Sequence, residues 1–215
     1  GAEDLEKAPE EVDFDGEQVF AKDGSASISL KDIGNRAMAN NGKALEVTES
    51  HSSPVSPPPF MVGMAEIEMD QETCDFELVN YVAVVDCGTP INPAIARVQT
   101  EGGLGQGIGM AMFEDVTRSE KGQVYENSFM QYKLPTRVDV GNIRVEFESS
   151  YEPTGPFGAK SIGEIVINTP APALAHAIYR ATGVWHRTVP FTPEKILMSM
   201  LDPQWKEIDR RVKES

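Results

Sequence analysis

Cysteine is almost missing from this sequence: 215 residues contain only Cys74 and Cys87. Two thiols cannot build a disulfide framework, and their spacing matches no zinc pattern. A single disulfide between them is open, but nothing in the sequence calls for it. Histidine is equally scarce, with His51, His176 and His186 scattered at no ligand-like spacing. Basic residues are short too: 19 lysines and arginines face 34 aspartates and glutamates, for a net charge of −15. That balance argues against a nucleic-acid partner, which needs a basic face, and against docking on an anionic membrane. No apolar run approaches the ~20 residues of a membrane helix. Two thiols and no recognisable signal peptide fit a reducing, cytoplasmic setting.

What is present is ordinary for a globular protein, with 40% hydrophobic and 25% charged residues. The length suits one large domain or two small ones, either able to bury a core. Acidity is uneven: residues 1–18 hold eight acids against Lys7 alone. This reads as an acidic, poorly ordered leading segment, followed by a single domain over 19–215 with a proline-rich loop at 50–59. The chain starts Gly1-Ala2 rather than with methionine, so the expectation is a piece of something longer.

Periodicity and turn chemistry give the elements. Val12-Asp13-Phe14 and Gln18-Val19-Phe20 flank Asp15-Gly16, a hairpin turn pair. Ser29 and Asp32 resemble a capping box for a helix over 30–39 that stops at Asn40-Asn41-Gly42. Leu45 to Thr48 is a candidate short strand. Phe60 to Met69 and Phe76 to Asp86 read as long strands joined by a turn; the first alternates and the second is continuously apolar from Tyr81 to Val85. A helix follows over 93–112. Phe129 to Lys133 and Ile143 to Glu148 are further strand candidates. Helices over 170–182 and from about 192 to 200 open on Thr169-Pro170 and Thr192-Pro193. Without a regular strand–helix alternation the class is α+β, with mixed or antiparallel strands and packed helices.

Two segments carry chemistry. Gly102-Gly103-Leu104-Gly105-Gln106-Gly107-Ile108-Gly109 lacks both the dinucleotide glycine spacing and the Gly-Lys-Ser/Thr of a phosphate loop. On a helix its glycines allow close approach of another backbone or a flat ligand. Gln99 and Gln106, two turns apart, share one face and offer amides to a phosphate or heterocycle. Helix–helix packing with exposed glutamines fits the same residues. The second segment is Gly158-Ala159-Lys160-Ser161-Ile162-Gly163-Glu164, followed by Ile165-Val166-Ile167. An apolar setting raises a carboxylate's proton affinity and makes a useful base of it. A strand-end carboxylate paired with a surface lysine or arginine is the alternative.

The blocks also occur in a telling order. Val85-Asp86-Cys87-Gly88-Thr89-Pro90-Ile91-Asn92-Pro93 leads into Val98 to Gly109, then Tyr132-Lys133-Leu134-Pro135-Thr136, then Gly158 to Glu164. Together with Ser53 to Phe60, this resembles the C-terminal part of the molybdenum-binding subunit of the xanthine dehydrogenase/aldehyde oxidase family, the molybdenum hydroxylases. The resemblance spans about residues 12–200 and implies that family's C-terminal molybdopterin-binding fold. It implies that Glu164 is the general base for hydroxylating a heterocycle or aldehyde, with water as the oxygen source. It implies that Gln99 contacts the pterin cofactor, that Lys160, Ser161 and Gly163 form the loop along it, and, by extension along the same helix face, that Gln106 adds a contact. The implied cofactor is molybdenum-molybdopterin, in that form or as the cytosine dinucleotide. No protein side chain is expected to ligate the metal.

The resemblance also defines what is not here. The family's earlier cofactor loops and its substrate-orienting arginine have no counterpart, nor does an iron–sulfur or flavin signature. The isolated chain is therefore expected to be inactive. Its expected partners are the rest of the molybdenum-binding subunit, iron–sulfur and FAD domains or subunits, and a small-molecule substrate, in an oligomer. The competing reading is a non-catalytic molybdopterin-binding or assembly module, which would have no use for Glu164.

Overall fold

The computed structural model describes residues 1–42, 44–50 and 52–202; His51 lies outside them. The chain divides between Ser52 and Ser53 into two compact units.

In the first unit the acidic leader folds into two 3-10 turns, Glu3–Leu5 and Pro9–Glu11, and then strand β1, Val12–Phe14. This unit extends through residue 52. Opposite charges hold the leader: Lys7 reaches Asp23 at 2.8 Å, and Arg36 reaches Asp4 at 3.3 Å. β1 pairs antiparallel with β2, Gln18–Ala21, and β2 with β3, Ser27–Ser29. The Asp15 carboxylate closes the hairpin by accepting from the amides of Glu17 and Gln18 at 2.9 and 2.8 Å. Ser29 caps helix α1, Leu30–Asn41, by accepting from the Asp32 amide, and Gly42 ends it in the left-handed conformation. Ala21, Ile28 and Ile33 are buried here. Leu45 to Thr48 forms no strand, and residues 52–59, rich in proline, have no regular structure.

The second unit is built on a three-stranded mixed sheet. β4 (Phe60–Met69) runs antiparallel to β5 (Phe76–Asp86), with a register shift at Glu66/Ile67. β6 (Asn142–Phe147) lies parallel to β5 on its other side. A parallel pair needs a crossover, and helix α2 (Pro93–Met112) lies in the connection. Asn92 caps α2 by accepting from the Ile95 amide. A single turn, α3 (Ile165–Asn168), precedes α4 (Pro170–Thr182), and α5 (Pro193–Leu201) closes the described part, capped by Thr192.

One face of this sheet forms the core. Leu78, Tyr81, Ala83, Val85 and Val145 pack with Leu104 and Ile108 of α2, Leu174 and Ile178 of α4, and Ile196 of α5. Each such apolar side chain contributes about 1.5–3 kcal/mol relative to exposure. The Tyr81 hydroxyl reaches the core's edge and donates to Thr169 Oγ1 at 2.8 Å. Thr169 thus spends its side chain on Tyr81 and does not cap α4.

Two sequence expectations fail here. Phe129 to Lys133 is a turn, with Phe129 and Met130 exposed; among the described residues no strand pairs with it, and apolar content alone does not make a strand. The strand that Glu164 would end, under the alternative for its segment, does not form: residues 160–164 are loop, and Ile165–Asn168 is a helical turn that runs into α4.

Candidate functional site

The loop from Gly158 to Glu164 hangs from the end of β5. Thr89 donates its amide to the Gly158 carbonyl at 2.8 Å, and Lys160 donates its amide to the Cys87 carbonyl at 2.7 Å. Gly88 and Ala159 form an isolated antiparallel bridge. Only glycine fits at residue 88: φ is +67°, and a Cβ there would lie 2.3 Å from the Gly158 carbonyl oxygen.

Charge completes this attachment. The Lys160 ammonium sits 2.7 Å from Asp86 Oδ2, with both side chains largely shielded. Asp86 Oδ1 accepts from the Ser150 hydroxyl at 2.6 Å and from the Gly88 amide at 3.0 Å. The hydrogen bond from Lys160, then that from Ser150, holds the Asp86 carboxyl down at about 2. The same ammonium lies 5.7 Å from the centroid of the Phe60 ring. Lys160 is thus tied inside the chain and fixes the loop. Sequence reading missed Asp86 and Ser150; an acid just before a strand-ending Cys-Gly was the available signal, but its partner lies far along the chain.

Between this loop and the start of α2 is a cleft of about 380 Å³, lined by Gln99 and Lys160 with Cys87, Ile91, Ile95 and Ile162 among its apolar walls. The structure therefore brings Gln99 and Lys160 together. Gln106 does not line the cleft; it is exposed two turns farther along the same face of α2. Ser161, Gly163 and Glu164 are exposed beyond the cleft.

The glycines of α2 divide into two sets. A Cβ at Gly103 would lie 2.1 Å from Val166 Cγ2, and one at Gly107 would lie 2.7 Å from Pro170 Cγ, so these positions serve packing against α3 and α4. At Gly102 and Gly105 a Cβ would meet nothing within 4 Å. The two sequence readings of this block thus apply to different sides of one helix: close packing on one, open glycines beside Gln99 and Gln106 on the other.

Glu164 stands immediately before α3 and makes no side-chain capping bond. The apolar enclosure expected for it is not supplied by this chain, because the side chain is exposed while Val166 turns inward. The alternative, a surface ion pair, is not found either: among the described residues no lysine or arginine pairs with Glu164. Nor, among the described residues, does any cluster of histidine, cysteine, aspartate or glutamate have metal-holding geometry. No described helix is long and apolar enough to cross a membrane. Both cysteines are buried free thiols, which burial pushes up in proton affinity. His176 stacks on Trp185 with ring centroids 5.5 Å apart, and Trp185 stacks on Tyr179 at 4.4 Å.

Residues 1–141 match the sequence profile described as the Molybdopterin cofactor-binding domain. Among curated proteins, the chain is 33% identical over 172 residues to the xanthine dehydrogenase molybdenum-binding subunit of Escherichia coli O157:H7, covering 79% of this chain and 23% of that protein. It is 32% identical over 204 residues to the 6-hydroxypseudooxynicotine dehydrogenase complex subunit gamma of Paenarthrobacter nicotinovorans, covering 91% and 26%. The solved structure of quinoline 2-oxidoreductase from Pseudomonas putida 86 superposes with a TM-score of 0.80 at 28% identity, over 94% of this chain and 27% of that one. The chain spans only about a quarter of the length of these relatives.

Proposed function

Because this chain belongs to the molybdenum hydroxylase family, as a molybdopterin cofactor-binding domain, we propose that it is the C-terminal piece of the molybdenum-binding subunit and carries the catalytic base, Glu164. The observation that carries this reading is the disposition of Glu164: an exposed carboxylate, without an ion-pair partner among the described residues, on a loop anchored beside Gln99. A purely structural glutamate has no need of such anchoring. An exposed carboxylate also becomes a tuned base once a second protein surface encloses it.

The residues present fit a pterin cofactor by their donor chemistry and shape. Gln99 and Gln106 would offer amides to its phosphate and ring edges, across the open glycines Gly102 and Gly105. Ser161 and Gly163 would line its path, while Lys160, neutralised by Asp86, orients that loop. The bound molybdenum cofactor supplies the oxygen-transfer and electron-accepting chemistry. Glu164's part is to remove a proton at its carboxylate oxygen, and a positioned base of this kind contributes about 10²–10⁴-fold. The substrate would be a heterocycle or an aldehyde, and electrons would leave through iron–sulfur and FAD domains or subunits. The cofactor would be molybdopterin itself or its cytosine dinucleotide form.

The test is Glu164→Gln in the complete enzyme. Turnover should fall by at least about 10²-fold with molybdenum and pterin contents unchanged. Wild-type rates would refute the base; loss of cofactor with loss of rate would favour a binding role instead.

A further inference from the structure

Among the described residues of the second unit, helices pack on one side of its sheet. Its core face carries Tyr81, Ala83 and Val85, and α2 and α4 pack there. The opposite face presents Phe60, Val62 and Met64 from β4, with Val84 directly across from Val62 and Val82 directly across from Met64. Phe60 and Val62 are each 62% exposed and Met64 is 54% exposed. A solvent-facing strand normally alternates to polar residues on this side. Farther along the same face it does: Glu66 accepts from Asn80 and Glu68 lies opposite Glu77. Beside Val82 and Val84, on β6, stand Arg144 and Glu146, which pair with each other. The apolar area is therefore a bounded patch with a charged rim, the pattern of a contact surface.

We infer that this patch is the seat of an apolar segment from the remaining portion of the molybdenum-binding subunit, and that this segment closes the cleft. The inference rests on the reading of this chain as part of a larger subunit. Three observations select that occupant. The related chains are about four times longer than the stretch matched here, so the greater part of each lies outside it. A net charge of −15 sets two copies of this chain against each other. The patch also runs into the site: Phe60 lies under the Lys160 ammonium, and Lys160 lines the cleft beside Gln99. A segment on Phe60 and Val62 thereby reaches the cleft's rim. Among the described residues β4 is also the terminal strand of its sheet, the position at which a further strand can add.

The test is a benzophenone photocrosslinker placed at Val62 in the complete subunit, with products mapped by mass spectrometry. Crosslinks to the same polypeptide outside this 215-residue stretch are expected. Crosslinks to residues 1–52, to a second copy or to another subunit would overturn the inference. So would no crosslink together with fast amide exchange over residues 60–64 in the unmodified complete subunit. If cells that produce this sequence make no longer polypeptide containing it, the fragment reading fails instead, which an immunoblot shows independently.

Discussion

Val166 fills the notch left by Gly103, where a Cβ would stand 2.1 Å from its Cγ2. Val166 follows Glu164 by two residues, and Gly103 shares α2 with Gln99 and Gln106. One helix contact thus fixes the carboxylate relative to the face that carries the amides. Gly103→Ala should cost about 1–3 kcal/mol through overpacking and should lower activity beyond its effect on stability. Gly102→Ala, into open space, should gain up to about 1 kcal/mol from helix propensity. Denaturant melts of the two variants check the contrast.

The Asp86–Lys160 pair predicts a coupling. Asp86→Asn leaves a shielded ammonium without its counter-charge and should cost about 1–3 kcal/mol. Lys160→Met should cost a similar amount. The double variant should lose less than the sum of the two, which a double-mutant cycle measures directly.

That pair also has a pH signature. The folded Asp86 carboxyl, at about 2, lies below its unfolded value of about 3.9. Its contribution to stability is therefore complete above about pH 4 and is lost as pH falls toward 2. Asp86→Asn should flatten that part of the stability–pH curve and leave the neutral region parallel to wild type.

Cys74 and Cys87 are buried, and burial keeps both thiols protonated. A thiol reagent at pH 8 should label neither in the folded protein and both in guanidinium. Rapid native labelling of Cys87, which lines the cleft, would show that the cleft opens.

Much of this fold was legible in the sequence, because local signals and tertiary packing agree there. Asp15-Gly16, the Ser29 and Thr192 caps, the two long strands and the Gly42 stop all act within a few residues of themselves. β3 was missed because Ser27-Ile28-Ser29 is too short to show a period, and it forms only by pairing with β2. The parallel placement of β6 depends on the long crossover through α2, which no local pattern records. In the site, glycines and glutamines stood out as a block, but their division between packing and open faces requires the position of Val166. Glu164 stood out in the sequence by its motif, and its place just before a helical turn is a finding of the structure. Its exposure was not legible, since the apolar residues beside it turn toward α2.

We propose Glu164 as the base of a molybdenum hydroxylase site that the rest of the subunit completes. The most direct measurement is anaerobic reduction of the complete Glu164→Gln enzyme, by substrate and separately by dithionite, followed spectroscopically. Substrate reduction should slow by at least about 10²-fold while dithionite reduction proceeds as in wild type. Substrate reduction at the wild-type rate would contradict the proposal.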